Sequence, residues 1–126
     1  MATSSPGGFT GTLSQAGSGA IKVTGLTNGL QYSFTVTATN AIGTSVASTA
    51  SNIVTPATPP DAPTGVSATV GNTQATVSFI APSNDGGSAI TLYTATSSPG
   101  NIIGTLNQSG GGIIVVSGLT NGTSYT

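Results

Sequence analysis

Apolar and polar residues alternate in short runs along the whole chain, and Gly, Asn or Pro separates each run from the next. In the longest run, Tyr32, Phe34, Val36 and Ala38 share one face, and the serine and threonines between them share the other. This period of two predicts a half-buried antiparallel strand with one wet face. Helical periodicity is not found in any segment, so we expect an all-β fold.

Shorter runs of the same kind predict further strands. Residues 20–24 alternate ahead of a Gly-Leu-Thr-Asn-Gly turn, and residues 44–54 are expected to be the last strand before a proline-rich stretch. Beyond that stretch, strands are expected at residues 64–70, 74–80, 90–96, 102–107 and 113–117. Many short strands with frequent turn signals indicate a β-sandwich.

The chain also repeats itself. Residue n aligns without a gap with residue n + 93, from Ala2 with Ala95 to Ser33 with Thr126, and 20 of the 32 aligned positions are identical. We call residues 2–33 the upstream copy and residues 95–126 the downstream copy. A period of 93 residues is the size of one small β-domain. The 126 residues are therefore expected to begin inside one repeat and to end inside the next.

Residues 55–63 contain four prolines, which favour an extended and fairly stiff segment. We expect the domain boundary here, with residues 1–55 from one repeat, a linker at residues 56–61, and residues 62–126 from the next.

Five segments, taken in order, resemble the fibronectin type III family. Their positions match the family's entry into strand A, the end of strand B, strand C, the E–F corner, and strand F with its following turn. The segments are residues 60–66, 76–79, 86–93, 23–32 and 34–43. Phe79 stands where the family usually carries a tryptophan, and Tyr93 matches the usual tyrosine of strand C. In the E–F corner of the family, the leucine that Leu26 matches is core and the tyrosine hydroxyl bonds nearby backbone.

This resemblance implies an immunoglobulin-like β-sandwich that is cut out of phase across two tandem repeats. Residues 1–55 would supply strands C/C′, E, F and G of one repeat. Residues 62–126 would supply strands A, B, C, C′, E and the start of F of the next. Each part would then carry unpaired strand edges and an uncovered apolar face.

The two incomplete parts are complementary, and two ways of completing them are open. One is a permuted sandwich within the chain, although a linker of about six residues reaches only ~20 Å against roughly 30 Å between the poles of a sandwich. The other is exchange between molecules, which makes a heterologous contact and therefore a ring or an open filament.

Charge is almost absent. Lys22, Asp61 and Asp85 make up 2% of the chain, against about 25% in ordinary domains. A net charge of −1 leaves little self-repulsion to oppose association. One lysine cannot form the cationic clusters that bind nucleic acid or anionic lipid. No stretch approaches the roughly 18 apolar residues of a membrane helix, so membrane insertion is not expected.

The residue types exclude several kinds of chemistry. With no histidine and no cysteine, the Ser–His–Asp and Cys–His arrangements and the usual zinc sites are ruled out. Asp61 and Asp85 could form a glycosidase pair, but two ordinary loop aspartates are the simpler interpretation. Asn84 and Asp85 could offer oxygens to calcium, yet a single carboxylate favours an Asx turn instead. We expect no catalytic, cofactor-binding or metal-binding residue.

The remaining motifs have simple structural interpretations. The glycine-rich segments at 17–19 and 110–112 are not phosphate loops, because no helix and no Lys-Ser/Thr follows either. Asn107 and Asn121 match the N-glycosylation pattern, which we interpret as coincidence in a chain rich in Asn, Ser and Thr. Five aromatic residues could form a sugar-binding platform: Phe9, Tyr32, Phe34, Phe79 and Tyr93. All but Phe9 alternate inward on predicted strands, so we expect them in the core.

The predicted function is a non-catalytic structural spacer in a repetitive, secreted or surface-anchored bacterial protein whose export signal lies outside these residues. The expected partners are other copies of the chain or adjacent repeats. Two alternatives stay open: an adhesion or carbohydrate-binding module with a glycan or cell-surface partner, and a unit that assembles by strand exchange between chains.

Overall fold

The computed structural model describes all 126 residues. The chain forms two compact units, which we call the first unit (Met1–Thr58) and the second unit (Pro59–Thr126). Both are built from antiparallel β-strands and neither contains a helix, which confirms the all-β prediction. A candidate membrane-spanning helix is therefore not found.

The first unit contains one sheet of three strands in the order β2-β1-β3. The strands are β1 (Ala2–Ser5), β2 (Thr10–Gly11) and β3 (Ser33–Val36). The central strand β1 places Ala2 opposite both Gly11 on β2 and Val36 on β3. Ala2 and Tyr32 are the buried apolar residues of this unit.

The second unit contains a three-stranded sheet and a separate hairpin. The sheet has the order β4-β5-β8 and consists of β4 (Thr64–Gly71), β5 (Gln74–Ile80) and β8 (Gly112–Ser117). The hairpin pairs β6 (Tyr93–Thr96) with β7 (Ile103–Leu106).

The sheet and the hairpin of the second unit enclose its core. Ile114 and Val116 of β8 are the least exposed of its apolar residues. Phe79 on β5 packs against Tyr93 on β6 with ring centroids 4.5 Å apart. Side chains from the two layers therefore contact each other at the centre, as in a sandwich.

Two predicted strands are wrong. Residues 20–24 alternate as a strand should, but they form no strand because no ladder partner lies beside them. Residues 44–54 are hydrogen-bonded to the segment 32–39, but their hydrogen bonds recur every third residue and not every second residue as in a regular strand.

The segment 44–54 is held by serines spaced three apart. The backbone N–H groups of Ser45, Ser48 and Ser51 donate to the carbonyls of residues 38, 36 and 34 in turn. Each serine hydroxyl accepts the N–H of the same partner residue, at 3.0 Å in all three cases. Three residues of this segment therefore lie against two of its partner, and the hydroxyl replaces the carbonyl that a regular strand would offer.

Candidate functional site

The two copies build the same hairpin turn around a buried serine. In the upstream copy, the Ser4 hydroxyl accepts the Phe9 N–H at 2.9 Å and donates to the Pro6 carbonyl at 3.0 Å. In the downstream copy, Ser97 makes the same two bonds, at 3.1 Å from the Ile102 N–H and 3.3 Å to the Pro99 carbonyl. Because a partly buried N–H is costly without an acceptor, this serine holds the turn closed in both units.

The corner near the end of each copy is also the same. The Thr27 N–H donates to the Tyr32 hydroxyl at 3.0 Å, and the Thr120 N–H donates to the Tyr125 hydroxyl at 3.1 Å. The resemblance implied such a bond between the tyrosine hydroxyl and nearby backbone. The bond from Thr120 lowers the pKa of Tyr125, and side-chain hydrogen bonds from the hydroxyls of Thr120 and Thr123 act in the same direction.

A glycine in each copy marks where one segment crosses another. A side chain at Gly104 would overlap the carbonyl of Val115, and a side chain at Gly11 would overlap the carbonyl of Lys22. These are equivalent positions at the offset of 93 residues. The segment after the hairpin therefore passes over β2 and over β7 in the same way.

The copies differ where a neighbouring strand is present in only one unit. Strand β8 of the downstream copy pairs with β5 along its whole length, from Gln74 opposite Ser117 to Phe79 opposite Gly112. The equivalent residues 19–24 have no such partner. Ile114 is 3% exposed, whereas its counterpart Ile21 is only half-buried.

At the hairpin, the upstream copy is the one that has an additional neighbouring strand. Strand β1 is covered on one edge by β2 and on the other by β3. Strand β6 has β7 on one edge, and its other edge is met only by the pair of hydrogen bonds between Ser98 and Thr126 just beyond the strand. Tyr32 is accordingly 1% exposed, whereas its counterpart Tyr125 is only half-buried.

A cavity of about 260 Å³ lies beside this open edge. It lies between the two layers of the second unit, because residues of β4, β5 and β8 line one side and residues of β6 line the other. Its apolar lining includes Val66, Val77, Ala95, Val116 and Leu119.

Both aspartates take part in hydrogen bonds with nearby backbone groups. Asp61 is exposed, and its N–H donates to the Asn84 carbonyl at 3.1 Å. One carboxylate oxygen of Asp85 accepts the Gly87 N–H at 2.9 Å, and the Asn84 side-chain oxygen accepts the Gly86 N–H at 3.0 Å. The loop that was considered for calcium thus forms two consecutive Asx turns, and no group of three acidic, histidine or cysteine side chains is present.

The five aromatic residues that were considered as a sugar-binding platform are divided between the units. Phe79 and Tyr93 are buried together in the second unit. In the first unit, Phe9 packs edge-on against buried Tyr32 with centroids 6.2 Å apart, and Phe34 is half-buried. Phe9 is therefore packed against the core of its unit, although its loop position set it apart in the sequence.

Asn121 is one of the two residues with a glycosylation pattern, and it has a structural role. Its side-chain oxygen accepts the Thr73 N–H at 2.9 Å, and its amide nitrogen donates to the Asn72 side chain at 2.8 Å. The carbonyl of Thr73 also accepts the N–H groups of Gly118 and Leu119. The corner of the downstream copy is therefore hydrogen-bonded to the β4–β5 turn.

The buried serines were not predicted from the sequence, whereas unpaired strand edges were expected from the resemblance. A signal for the serines was present, because Ser-Ser-Pro-Gly stands at the same place in both copies. No protein-family model matches the chain, and no solved structure matches it significantly.

Proposed function

We propose that the chain is a non-catalytic spacer module, built from tandem β-sandwich repeats of the fibronectin type III kind in a secreted or cell-surface protein. The observation that carries the proposal is the shared framework of the two copies. The buried serine, the tyrosine corner and the crossing at glycine recur at an offset of 93 residues in two separate compact units. A chain that repeats one small domain gains length with each added repeat, as a spacer must.

The surface chemistry supports the same proposal. Lys22, Asp61 and Asp85 are the only acidic or basic side chains, and no three acidic, histidine or cysteine side chains lie together. The proline-rich residues 55–63 separate the repeats, and such segments act as semi-rigid spacers. The predicted partners are adjacent repeats of the same kind.

The test is whether added repeats add length. Thr126 aligns with Ser33, so appending residues 34–126 after Thr126 extends the chain by one period without a break in register. Small-angle X-ray scattering on chains with one, two and three added periods should show a constant increase in maximum dimension, on the order of 30 Å per period.

A matched variant carries serine in place of the four prolines Pro56, Pro59, Pro60 and Pro63 in every linker. It should show smaller increments and a broader distance distribution, because a flexible linker lets the repeats approach each other. A maximum dimension that does not grow with added periods contradicts the spacer proposal. A soluble-glycan array run on the same chains separates it from the adhesion alternative, which requires specific glycan binding.

A further inference from the structure

We propose that the Asn-Gly pairs of the two corners, Asn28 with Gly29 and Asn121 with Gly122, are sites of deamidation, and that the hydrogen bonds of the folded corner slow this reaction. No other asparagine of the chain is followed by glycine. The inference is independent of the spacer function, since it concerns a covalent change within the chain.

Both pairs occupy the same tight turn. The Leu30 N–H donates to the Thr27 carbonyl at 3.4 Å, and the Thr123 N–H donates to the Thr120 carbonyl at 3.2 Å. Asparagine and glycine are the two central residues of each turn, and the glycine has a φ of 79° in one copy and 80° in the other. Such a φ favours glycine, so the turn itself calls for the residue that makes the pair reactive.

The reaction needs only the pair and water. The glycine backbone nitrogen loses its proton and attacks the Cγ carbon of the asparagine, forming a new C–N bond. The side-chain amide nitrogen takes up a proton and leaves as ammonia, so that a five-membered succinimide ring results. Water then opens the ring at either carbonyl and gives aspartate or isoaspartate. Glycine favours the attack because it has no Cβ beside its nitrogen, and all four residues of the two pairs are exposed to water.

In the upstream copy, the attacking nitrogen is hydrogen-bonded. The Gly29 N–H donates to the Pro56 carbonyl at 2.9 Å, and the Asn28 side-chain nitrogen donates to the Thr58 hydroxyl at 3.3 Å. A hydrogen-bonded N–H gives up its proton only when the bond opens, as in amide hydrogen exchange. The folded corner therefore slows the first step of the reaction at Asn28.

In the downstream copy, the asparagine side chain is held. The Asn121 side-chain oxygen accepts the Thr73 N–H, and its nitrogen donates to the Asn72 side chain. These bonds keep the side chain in one orientation, and the nitrogen that must leave as ammonia is one of the bonded atoms. The folded corner therefore slows the reaction at Asn121 through the other reacting group.

Conversion would change the corner in charge and in hydrogen bonding. Each event adds one negative charge to a chain whose net charge is −1. An ionised carboxylate has no hydrogen to donate to Asn72 or to Thr58. Isoaspartate also lengthens the backbone by a methylene carbon, which would displace the Gly29 N–H from the Pro56 carbonyl. Deamidation would thus loosen the corner from the β4–β5 turn in the downstream copy and from residues 56–58 in the upstream copy.

The experiment is peptide mass mapping of the 126-residue chain after incubation at mildly alkaline pH, both folded and in urea. Asn40, which is exposed and followed by Ala41, is the internal reference. In urea, Asn28 and Asn121 should convert at similar rates, and both faster than Asn40. In the folded chain both should slow by at least about 10-fold, because the reaction then waits for the corner to open.

Two variants test the hydrogen bonds one at a time. Thr58→Ala removes the acceptor of the Asn28 side-chain nitrogen, and Asn72→Ala removes the acceptor of the Asn121 side-chain nitrogen. Each should speed the conversion of its own asparagine in the folded chain by on the order of 3-fold, as the loss of one exposed hydrogen bond predicts. The other asparagine, unchanged in the same molecule, is the matched control.

Three results would overturn the proposal. The first is conversion of Asn28 and Asn121 in urea that is no faster than that of Asn40, because the pairs would then not be preferred sites. The second is equal rates in the folded chain and in urea, because the corner would then give no protection. The third is a variant that changes both sites equally or neither, because the bond it removes would then not be what protects its own asparagine.

Discussion

The upstream and downstream copies share most of their residues but lie beside different strands. Their hairpin turns, tyrosine corners and glycine crossings are the same, down to hydrogen bonds that agree within a few tenths of an ångström. Their strand pairings are not. Residues 112–117 form a strand on β5, whereas residues 19–24 form none, and β1 is paired on both edges, whereas β6 is paired on one.

This difference separates the structure that local sequence determines from the structure that depends on a distant strand. Each turn and corner closes between residues no more than five apart, so the local sequence is sufficient to form it. A ladder needs a second strand from elsewhere in the chain, and of these two equivalent segments only the one beside such a strand forms part of a ladder. The burial of equivalent residues depends on the same partner strands. Ile114 is more buried than its counterpart Ile21, whereas Tyr32 is more buried than its counterpart Tyr125.

The largest effect is expected from truncating one isoleucine in each copy. Ile114→Ala removes a side chain that is 3% exposed and belongs to the core with Phe79 and Tyr93, so it should cost the second unit about 2–5 kcal/mol. Ile21→Ala removes a half-buried side chain that no opposing sheet covers, and should cost the first unit less than about 2 kcal/mol.

The two units can be measured separately in one chain through amide hydrogen exchange. The Val77 amide reports the second unit and the Val36 amide reports the first. Val115→Ala is the matched control, because Val115 lies on the same strand as Ile114 but is 50% exposed, and it should change stability by no more than about 0.5 kcal/mol. Equal losses for Ile21→Ala and Ile114→Ala would show that strand β5 is not the source of the difference between the copies.

Some elements could be predicted from the sequence, and their physical basis is clear. Residues 74–80 alternate between polar and apolar side chains as far as Phe79 and form β5, and the apolar run at residues 113–116 is bounded by Gly112 and Gly118 and lies in β8. The inward position of Phe79 followed from the period of two in residues 74–79, and Phe79 is buried.

Other elements could not be predicted from alternation alone. Residues 20–24 are the counterparts of residues 113–117, but Lys22 stands where the downstream copy has Val115, and no neighbouring strand lies beside them. Residues 44–54 are rich in Ser, Thr and Val, which suggested a strand. Their serines recur every third residue, and this period allows each hydroxyl to accept a partner N–H.

A medium effect, equal in the two copies, is expected from removing the buried serine hydroxyl. Ser4→Ala and Ser97→Ala each leave a peptide N–H, of Phe9 or of Ile102, without its acceptor. Each should destabilise its own unit by about 1–3 kcal/mol. The adjacent exposed serine gives the control, and Ser98→Ala should change stability by less than about 0.5 kcal/mol.

The same amide exchange measurement checks this expectation. Similar losses would confirm that the hairpin turn is set locally and is indifferent to the strands around it. A loss confined to Ser97→Ala would mean that the turn matters only in the unit whose opposing sheet is present, and the division between local and non-local structure would then be wrong.

The smallest effect concerns the tyrosine corner at the end of the downstream copy. The Thr120 N–H bond stabilises the phenolate and lowers the pKa of Tyr125 below the usual value of about 10. Between the folded and unfolded pKa values, the unfolded chain holds more protons, so the stability of the second unit rises with pH in that window. This contribution is complete above pH ~10 and is lost as the pH falls through the folded pKa.

Phenolate absorbance in the near ultraviolet measures this titration directly. In Tyr125→Phe, the part of the absorbance change that develops below the usual tyrosine range should disappear. Thr120→Pro removes the N–H that donates to the hydroxyl while keeping the tyrosine, and should move that part of the titration upward. If neither variant alters the curve, the corner of the downstream copy does not hold Tyr125 in solution as its counterpart Tyr32 is held in the first unit. The local similarity of the two copies would then stop at residue 124, before the tyrosine.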